Sequence, residues 1–328
     1  MKVIQIGLGP LGQKIVQFIS ERSDVEIVAA ADINPGFSGK DIGDVSGIEP
    51  SGGTVNESIS EAIKSCDADC AILTTVSCLE TITPQILEIV NGGLPVVSTC
   101  EELLHPWNTQ PELSAAIDEA AKSNGVAVLG TGINPGFLMD SLPAFMTAVC
   151  QEVDSVTVSR LQDATFRREP FQRKIGAGLD TLSFRQLVAE KKIRHVGLSE
   201  SLYLIADSMG WKLDRVEDII SPVITEEPVS SRIIDVAAGN VAGVQQIGRG
   251  FCAGEEKITL VFRAAIGEPE PADTIEIFGN PNVKSTIEGG VNGDVGTCAI
   301  TINAVKQVIR SKPGLRTMAD IPLVTHVP

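Results

Sequence analysis

Three glycines in the run Gly7-Leu8-Gly9-Pro10-Leu11-Gly12 have the types and spacing that cradle a pyrophosphate. Gly7 permits a tight turn, Gly9 lets backbone approach the phosphates, and Gly12 lets a helix lie close to the strand before it. Pro10 and Leu11 open that helix, whose unpaired N–H groups and positive dipole end face the anion. Asp32, about 20 residues beyond Gly12, completes the dinucleotide fingerprint. Its carboxylate can accept both hydroxyls of an adenine ribose and would repel a 2′-phosphate, so NAD is the expected cofactor. Asn34, Ser38 and Lys40 in the next loop leave NADP possible. A second chemical feature is the acid pair Glu101-Glu102 after Ser98-Thr99-Cys100. A carboxylate partly desolvated in a cleft is suited to moving protons while an imine forms or breaks down. Neighbouring side chains diverge in an extended or turning segment, so only one acid of the pair should face the reaction. Simple solvated caps of the next turn would use the same two residues.

These groups need strand ends to hold them. Residues 2–130 alternate short apolar runs with helical stretches, which predicts a parallel sheet flanked by helices. The expected strands are 2–6, 26–31, 69–74, 94–98 and 126–129, with helices over 11–22, 56–65, 80–92 and 111–124. Residues 34–53 should form an irregular loop, and Pro84 should lie in the first turn of its helix. Beyond residue 140 the rhythm changes: a strand over 153–161, helices over 179–191 and 199–209, then strands over 231–237, 241–253, 256–267 and 273–279. The fold class is therefore α/β, a Rossmann-type doubly wound parallel sheet with a second α+β domain on an open mixed sheet. A late helix over 295–310 should return to the nucleotide domain, giving residues 1–140 plus 292–328 as that domain and 141–291 for substrate binding and dimerisation.

Ligands of open parallel sheets bind beyond the carboxyl ends of the strands, where strand order reverses. Thr74, Thr75 and Ser77 after the third strand, Cys100 after the fourth and Asn134 after the fifth are thus candidate cofactor contacts, as is Asn303 in the returning helix. Arg160 and Arg173, with Arg167, Arg168 and Lys174 nearby, are candidates to grip a substrate carboxylate, and Phe137 and Phe171 to wall its pocket.

A formal charge of −16 over 328 residues, with no basic cluster, argues against nucleic acid and anionic membrane surfaces as partners. No apolar stretch approaches a membrane span, and seven scattered cysteines without a C-x-x-C pair suit a reducing cytoplasm. His105 beside the acid pair lacks a second histidine, so no metal is expected.

Gly7–Gly12, Ala31-Asp32, Val97-Ser98-Thr99-Cys100-Glu101-Glu102, Gly132-Ile133-Asn134-Pro135-Gly136-Phe137 and Phe171-Gln172-Arg173-Lys174-Ile175-Gly176 together resemble the 2,4-diaminopentanoate dehydrogenase and native amine dehydrogenase family. The resemblance spans most of the chain. It implies a dihydrodipicolinate reductase-like nucleotide domain and reversible conversion of an amine, NAD(P)+ and water to a carbonyl compound, ammonia and NAD(P)H. It also implies a glutamate near the nicotinamide that transfers protons. Carried onto this chain that group is Glu101 or Glu102, with Glu101 favoured because it lies nearer the strand end, where related reductases place a catalytic lysine. A homodimer is expected through the open sheet face. Two further readings are an alcohol dehydrogenase of a homoserine-like substrate, and a regulatory protein that binds NAD without catalysis.

Overall fold

The computed structural model describes residues 1–326; Val327 and Pro328, the last two residues of the expected nucleotide domain, lie outside the described residues. The chain forms two compact units, Met1–Phe137 with the segment from Asn292 onward, and Leu138–Val291.

The first unit runs β1 (Lys2–Ile6), α1 (Pro10–Ser20), β2 (Glu26–Ala31), α2 (Ile42–Ser46), β3 (Val55–Asn56), α3 (Ile59–Ser65), β4 (Cys70–Leu73), α4 (Leu79–Asn91), β5 (Val96–Ser98), α5 (Pro111–Ser123) and β6 (Ala127–Gly130). The second contains α6 (Ser141–Met146), β7 (Glu152–Asp163), α7 (Glu169–Lys174), α8 (Thr181–Ala189), α9 (Leu198–Ser208), β8 (Arg215–Ile224), β9 (Val229–Ser230), β10 (Asp235–Val236), β11 (Val241–Cys252), β12 (Glu255–Ala265), β13 (Ala272–Asn280) and β14 (Val283–Glu288). The chain then returns to the first unit as α10 (Gly293–Ile309) and β15 (Gly314–Arg316).

The first unit's sheet has seven parallel strands in the order β3-β2-β1-β4-β5-β6-β15. Strand order reverses between β1 and β4, and there the strand ends open a crevice for a ligand. Apolar side chains dictate both faces. On one, Ile15 and Ile19 of α1 meet Cys298, Ile302, Val305 and Val308 of α10 over Val3, Ile72 and Val97. On the other, Ala62, Ile82, Ile86, Ile117 and Ala121 cover Ile4, Leu73, Val96 and Val128. Pro84 lies inside α4 rather than in its first turn, and the loop expected over 34–53 contains α2 and leads into β3.

The second unit's six-stranded sheet has the order β14-β13-β7-β12-β11-β8, mixed because β7 and β12 run parallel while the other neighbours are antiparallel. Val158, Leu260 and Phe262 turn to one face with Leu198, Leu202 and Ile205 of α9. Ala253 and Gly254, both at positive φ, make the two-residue turn between β11 and β12. The strand expected over 231–237 reduces to the two residues of β10, paired with β9, because most of that segment is turn.

Candidate active site

The glycine turn is held from beneath by a side chain that an apolar strand would not ordinarily contain. Gln5 is fully buried in β1 and donates Nε2 to the Gly7 carbonyl at 2.9 Å and to Thr74 Oγ1 at 2.8 Å. Thr74 Oγ1 donates to the same carbonyl at 3.0 Å, so the ends of β1 and β4 are tied together at the switch point. The Thr74 hydroxyl gives its proton to this brace, so it has none to donate in the cofactor contact expected of it. Gly7 has φ +87°, and a Cβ on Gly12 would fall 2.0 Å from the Gly7 carbonyl oxygen. A Cβ on Gly9 would meet nothing within 4 Å, so the turn is open where phosphate must approach. Pro10 and Leu11 start α1, its Pro in the first turn where no N–H is needed.

Asp32 Oδ2 accepts the Leu8 N–H at 2.6 Å and Oδ1 the Asn34 N–H at 2.8 Å. The carboxylate thereby fixes the glycine turn to the end of β2 and keeps lone pairs for further donors. Ser38 is committed to Glu57 Oε1 at 2.8 Å, setting a second carboxylate beside that loop. An open cradle, a helix N-terminus and an acid at the second strand tip fit the phosphates and ribose of a dinucleotide.

The two acids after β5 are separated by their bonds. They lie on a 3-10 turn, Glu101–Leu103, seated against β6: a Cβ on Gly130 would come within 2.7–2.8 Å of the Leu103 and Leu104 backbone. Glu102 Oε2 accepts from the Leu79 N–H at 2.8 Å and from Gln110 Nε2 at 3.0 Å, so its carboxylate caps α4 where the helix dipole favours negative charge. Glu101 is half-buried, and its carboxylate has no hydrogen bond or ion pair among the described residues. Cys100 is buried and turns its Sγ to the Ser77 carbonyl at 3.2 Å; burial first, then the charge of Glu101, pushes its thiol up. The side chain expected to touch cofactor is therefore a packing group. Thr75 is exposed with its hydroxyl on Gln85 Oε1 at 2.8 Å, and Ser77 is half-buried.

After β6 the chain folds back on itself: Gly136 has φ +129°, and a Cβ there would lie 2.3 Å from the Gly132 nitrogen. The Thr131 N–H bonds the Ser98 carbonyl at 2.8 Å, and the Ile133 N–H reaches Thr297 Oγ1 of α10 at 3.4 Å. Within this pinned loop both polar side-chain atoms of Asn134 are shielded from solvent and without a partner. Phe137 is half-buried at the end of the unit. Asn303 is not at this edge. Its Oδ1 accepts from Arg22 NH1 at 2.9 Å, and Arg22 follows the C-terminus of α1, toward the amino ends of the strands and away from the glycine turn. It is a structural link between α1 and α10.

In the second unit, Arg160 is 1% exposed and its terminal nitrogens are engaged: NH1 on both Asp273 oxygens at 2.9 and 3.0 Å, NH2 on the Val291 carbonyl at 2.8 Å. A substrate carboxylate cannot share a fork already bound, so the expected grip is instead a buried ion pair. Arg173 pairs with Glu169 on the exposed side of α7. Phe171 lies beneath the Arg167 guanidinium, 4.0 Å from its ring centroid. Gln172, which sequence reading left without a role, donates Nε2 to the Ala164 carbonyl at 3.0 Å and the Arg167 carbonyl at 2.9 Å and so shapes the loop after β7. Gln5 and Thr297 were likewise passed over; a lone glutamine in an otherwise apolar strand was the available signal for the first. Among the described residues no group of three or more His, Cys, Asp or Glu side chains is placed to hold a metal ion, and no helix is long and apolar enough to cross a membrane.

The profile of the 2,4-diaminopentanoate dehydrogenase C-terminal domain matches residues 137–327. The chain belongs to the 2,4-diaminopentanoate dehydrogenase family. Residues 1–99 of this family member match the dihydrodipicolinate reductase N-terminus. The chain is 34% identical over 333 residues to the 2,4-diaminopentanoate dehydrogenase of Acetoanaerobium sticklandii, covering 98% of this chain and 94% of that protein. It is 20% identical over 341 residues to an amine dehydrogenase of Streptomyces virginiae, covering 97% of this chain and 95% of that one. The solved amine dehydrogenase of Mycobacterium smegmatis shares the fold, with a TM-score of 0.86 at 23% identity over 100% of this chain and 97% of that chain.

Proposed function

We propose that this chain catalyses the reversible oxidative deamination of a small amine or diamino acid such as 2,4-diaminopentanoate, with Glu101 as its proton-transfer group. As a member of its family it is an NAD(P)-dependent oxidoreductase acting on amines. The observation that carries the residue assignment is the division of labour between two adjacent acids: Glu102 is consumed as a helix cap, while the Glu101 carboxylate is free of bonds on a turn anchored to β6. Bound over the glycine turn, the dinucleotide supplies a hydride acceptor for deamination and a hydride donor for the reverse reaction. Gly7, Gly9, Gly12 and the start of α1 hold its phosphates, and Asp32 its adenine ribose. Glu101 takes a proton from the substrate ammonium and passes it to solvent, then takes a second from the water that adds to the substrate imine and gives that one to the nitrogen, which leaves as ammonia. In the reverse direction the same proton transfers run backwards, while ammonia supplies the nitrogen of the new C–N bond and the carbonyl oxygen leaves as water. General acid–base help of this kind contributes about 10²–10⁴ in rate.

The test is oxidation of NADH with a panel of small keto acids and ketones, with and without ammonia. Ammonia-dependent turnover is expected, and Glu101→Gln should abolish most of it; no carbonyl compound giving ammonia-dependent turnover would sink the assignment. NAD is preferred to NADP because Asp32 and Glu57 both oppose a 2′-phosphate, and Ser38 is spent on Glu57. Asp32→Ala should narrow the ratio of kcat/KM for the two cofactors. The homodimer forms through the uncovered face of the second sheet, where Ile219, Ile247 and Val261 are in register on β8, β11 and β12. A sedimentation profile of monomer at micromolar concentration would remove that element. Seven free thiols and an NAD(P)-fed reaction suit the cytoplasm.

A further inference from the structure

The structure leaves one polar side chain of the first unit in an unusual state. Asn134 has neither its amide oxygen nor its amide nitrogen hydrogen-bonded, although both are sealed from solvent. Buried polar groups are almost always satisfied, because an unmade bond forfeits the hydration that burial removed. Gln5 and Ser46 each have one unpartnered atom, Oε1 and Oγ, and the Gln5 nitrogen is fully engaged beneath the glycine turn. Asn134 is unsatisfied at both ends, and it cannot drift to find partners. Its loop is fixed to β5 through the Thr131 N–H, to α10 through Thr297, and to itself through the close approach of Gly136 to Gly132.

Position and chemistry then narrow what would satisfy it. The loop leaves the carboxyl end of β6, on the β4-β5-β6 side of the switch point, and Glu101 leaves the neighbouring β5. The adenine half of a dinucleotide takes the other side, over β1, β2 and Asp32. A primary amide presents an acceptor and a donor side by side in one plane, and its complement is a group presenting a donor and an acceptor in the same way. Another primary amide has that pattern. We infer that the Asn134 side chain pairs with the carboxamide of the nicotinamide ring, fixing which face of the ring is turned toward Glu101. This rests on the NAD(P)-dependent reading above, and makes Asn134 a determinant of cofactor-ring recognition, separate from the phosphate cradle.

The experiment is a set of binding measurements made without amine or ammonia, by NADH fluorescence and calorimetry, so that it stands whether or not amine turnover is found. The ligands are NADH, NAD+, the 3-acetylpyridine analogue of NAD+, which lacks the amide N–H donors, and ADP-ribose, which lacks the ring. The wild-type protein should bind the acetylpyridine analogue less tightly than NAD+. Asn134→Leu should weaken NADH by about three- to tenfold, the loss of one or two neutral hydrogen bonds, bring the two oxidised cofactors to near-equal affinity, and leave ADP-ribose unchanged. Asn134→Asp, which keeps the size and the acceptor, guards against a folding defect in the first variant. It should retain wild-type ADP-ribose affinity and bind NAD+ less tightly. Equal loss of ADP-ribose and NADH binding would make Asn134 a loop-folding residue and overturn the inference. So would variants that discriminate the analogue as well as wild type does.

Discussion

The carboxylate of Glu102 accepts the backbone N–H of Leu79, the first residue of α4, at 2.8 Å. That bond, with the one from Gln110 Nε2, separates two chemically identical neighbours into a structural acid and a free one. Glu102→Ala should lower the melting temperature by a few degrees, as loss of a helix cap costs about 1 kcal/mol, with kcat largely kept. Glu101→Gln should do the reverse, cutting kcat by about 10²–10⁴ at unchanged melting temperature. Paired thermal scans and steady-state kinetics read both; a stable, fully active Glu101→Gln protein contradicts the assignment.

The glycines of the first turn should fail in different ways. Gly9 has φ −64° and open space around its missing Cβ, so Gly9→Ala should fold normally and lose affinity for NADH. Gly12→Ala drives a methyl to 2.0 Å from the Gly7 carbonyl, so it should lower stability and binding together. Chemical denaturation alongside NADH titration distinguishes the two patterns.

Arg160 and Asp273, with side chains 2% and 4% exposed, form a pair that should matter for folding and not for substrate affinity. Breaking one side of a buried pair strands the other charge, at a cost of about 3–5 kcal/mol. Arg160→Leu should lower the urea midpoint sharply, while the double change to Leu at both positions recovers much of it. If Arg160→Leu is stable and raises the amine KM alone, the arginine serves substrate after all.

Acid sensitivity should trace in part to His195, stacked on Phe262 with centroids 4.4 Å apart. Burial first, then Lys174 and Arg160, lowers its pKa from 6.5 to about 3. Between those values the unfolded chain binds a proton that the folded chain refuses, so stability falls as pH drops below 6.5. The slope from this one group approaches about 1.4 kcal/mol per pH unit. His195→Phe keeps a ring on Phe262 and should flatten that slope; urea midpoints at pH 7, 6, 5 and 4 for both proteins measure it, and identical slopes contradict the role.

Much of the fold is written locally. The glycine turn and the alternation of apolar runs depend on residues a few positions apart and Asp32 on a fixed spacing from Gly12, and together they specify the parallel sheet and its switch point. The mixed second sheet was legible through Val156, Val158 and Leu260, whose alternation marks one covered face. Its edge strands β8 and β14 were not, because Val223 is the one buried residue in the two strands and marks no covered face. Side-chain roles were least legible where the partner is remote. Arg160 meets Asp273 across 113 residues, and Asn303 meets Arg22 across 281. The choice between Glu101 and Glu102 turned on Leu79 and Gln110, which the sequence does not mark as neighbours of either acid.

The return of α10 and β15 to the first sheet bears on how the protein is made. Cys298, Ile302, Val305 and Val308 complete the layer over Val3, Ile72 and Val97, and β15 pairs with β6. During synthesis the ribosome delivers β1 to β6 well before these residues emerge, so the half-built sheet waits with an uncovered oily face while the middle of the polypeptide is translated. A truncation after Phe137 should therefore precipitate or recruit chaperones, whereas supplying residues 292–326 in trans, or by an internal deletion that joins them through a short linker to Phe137, should yield a soluble nucleotide-binding half.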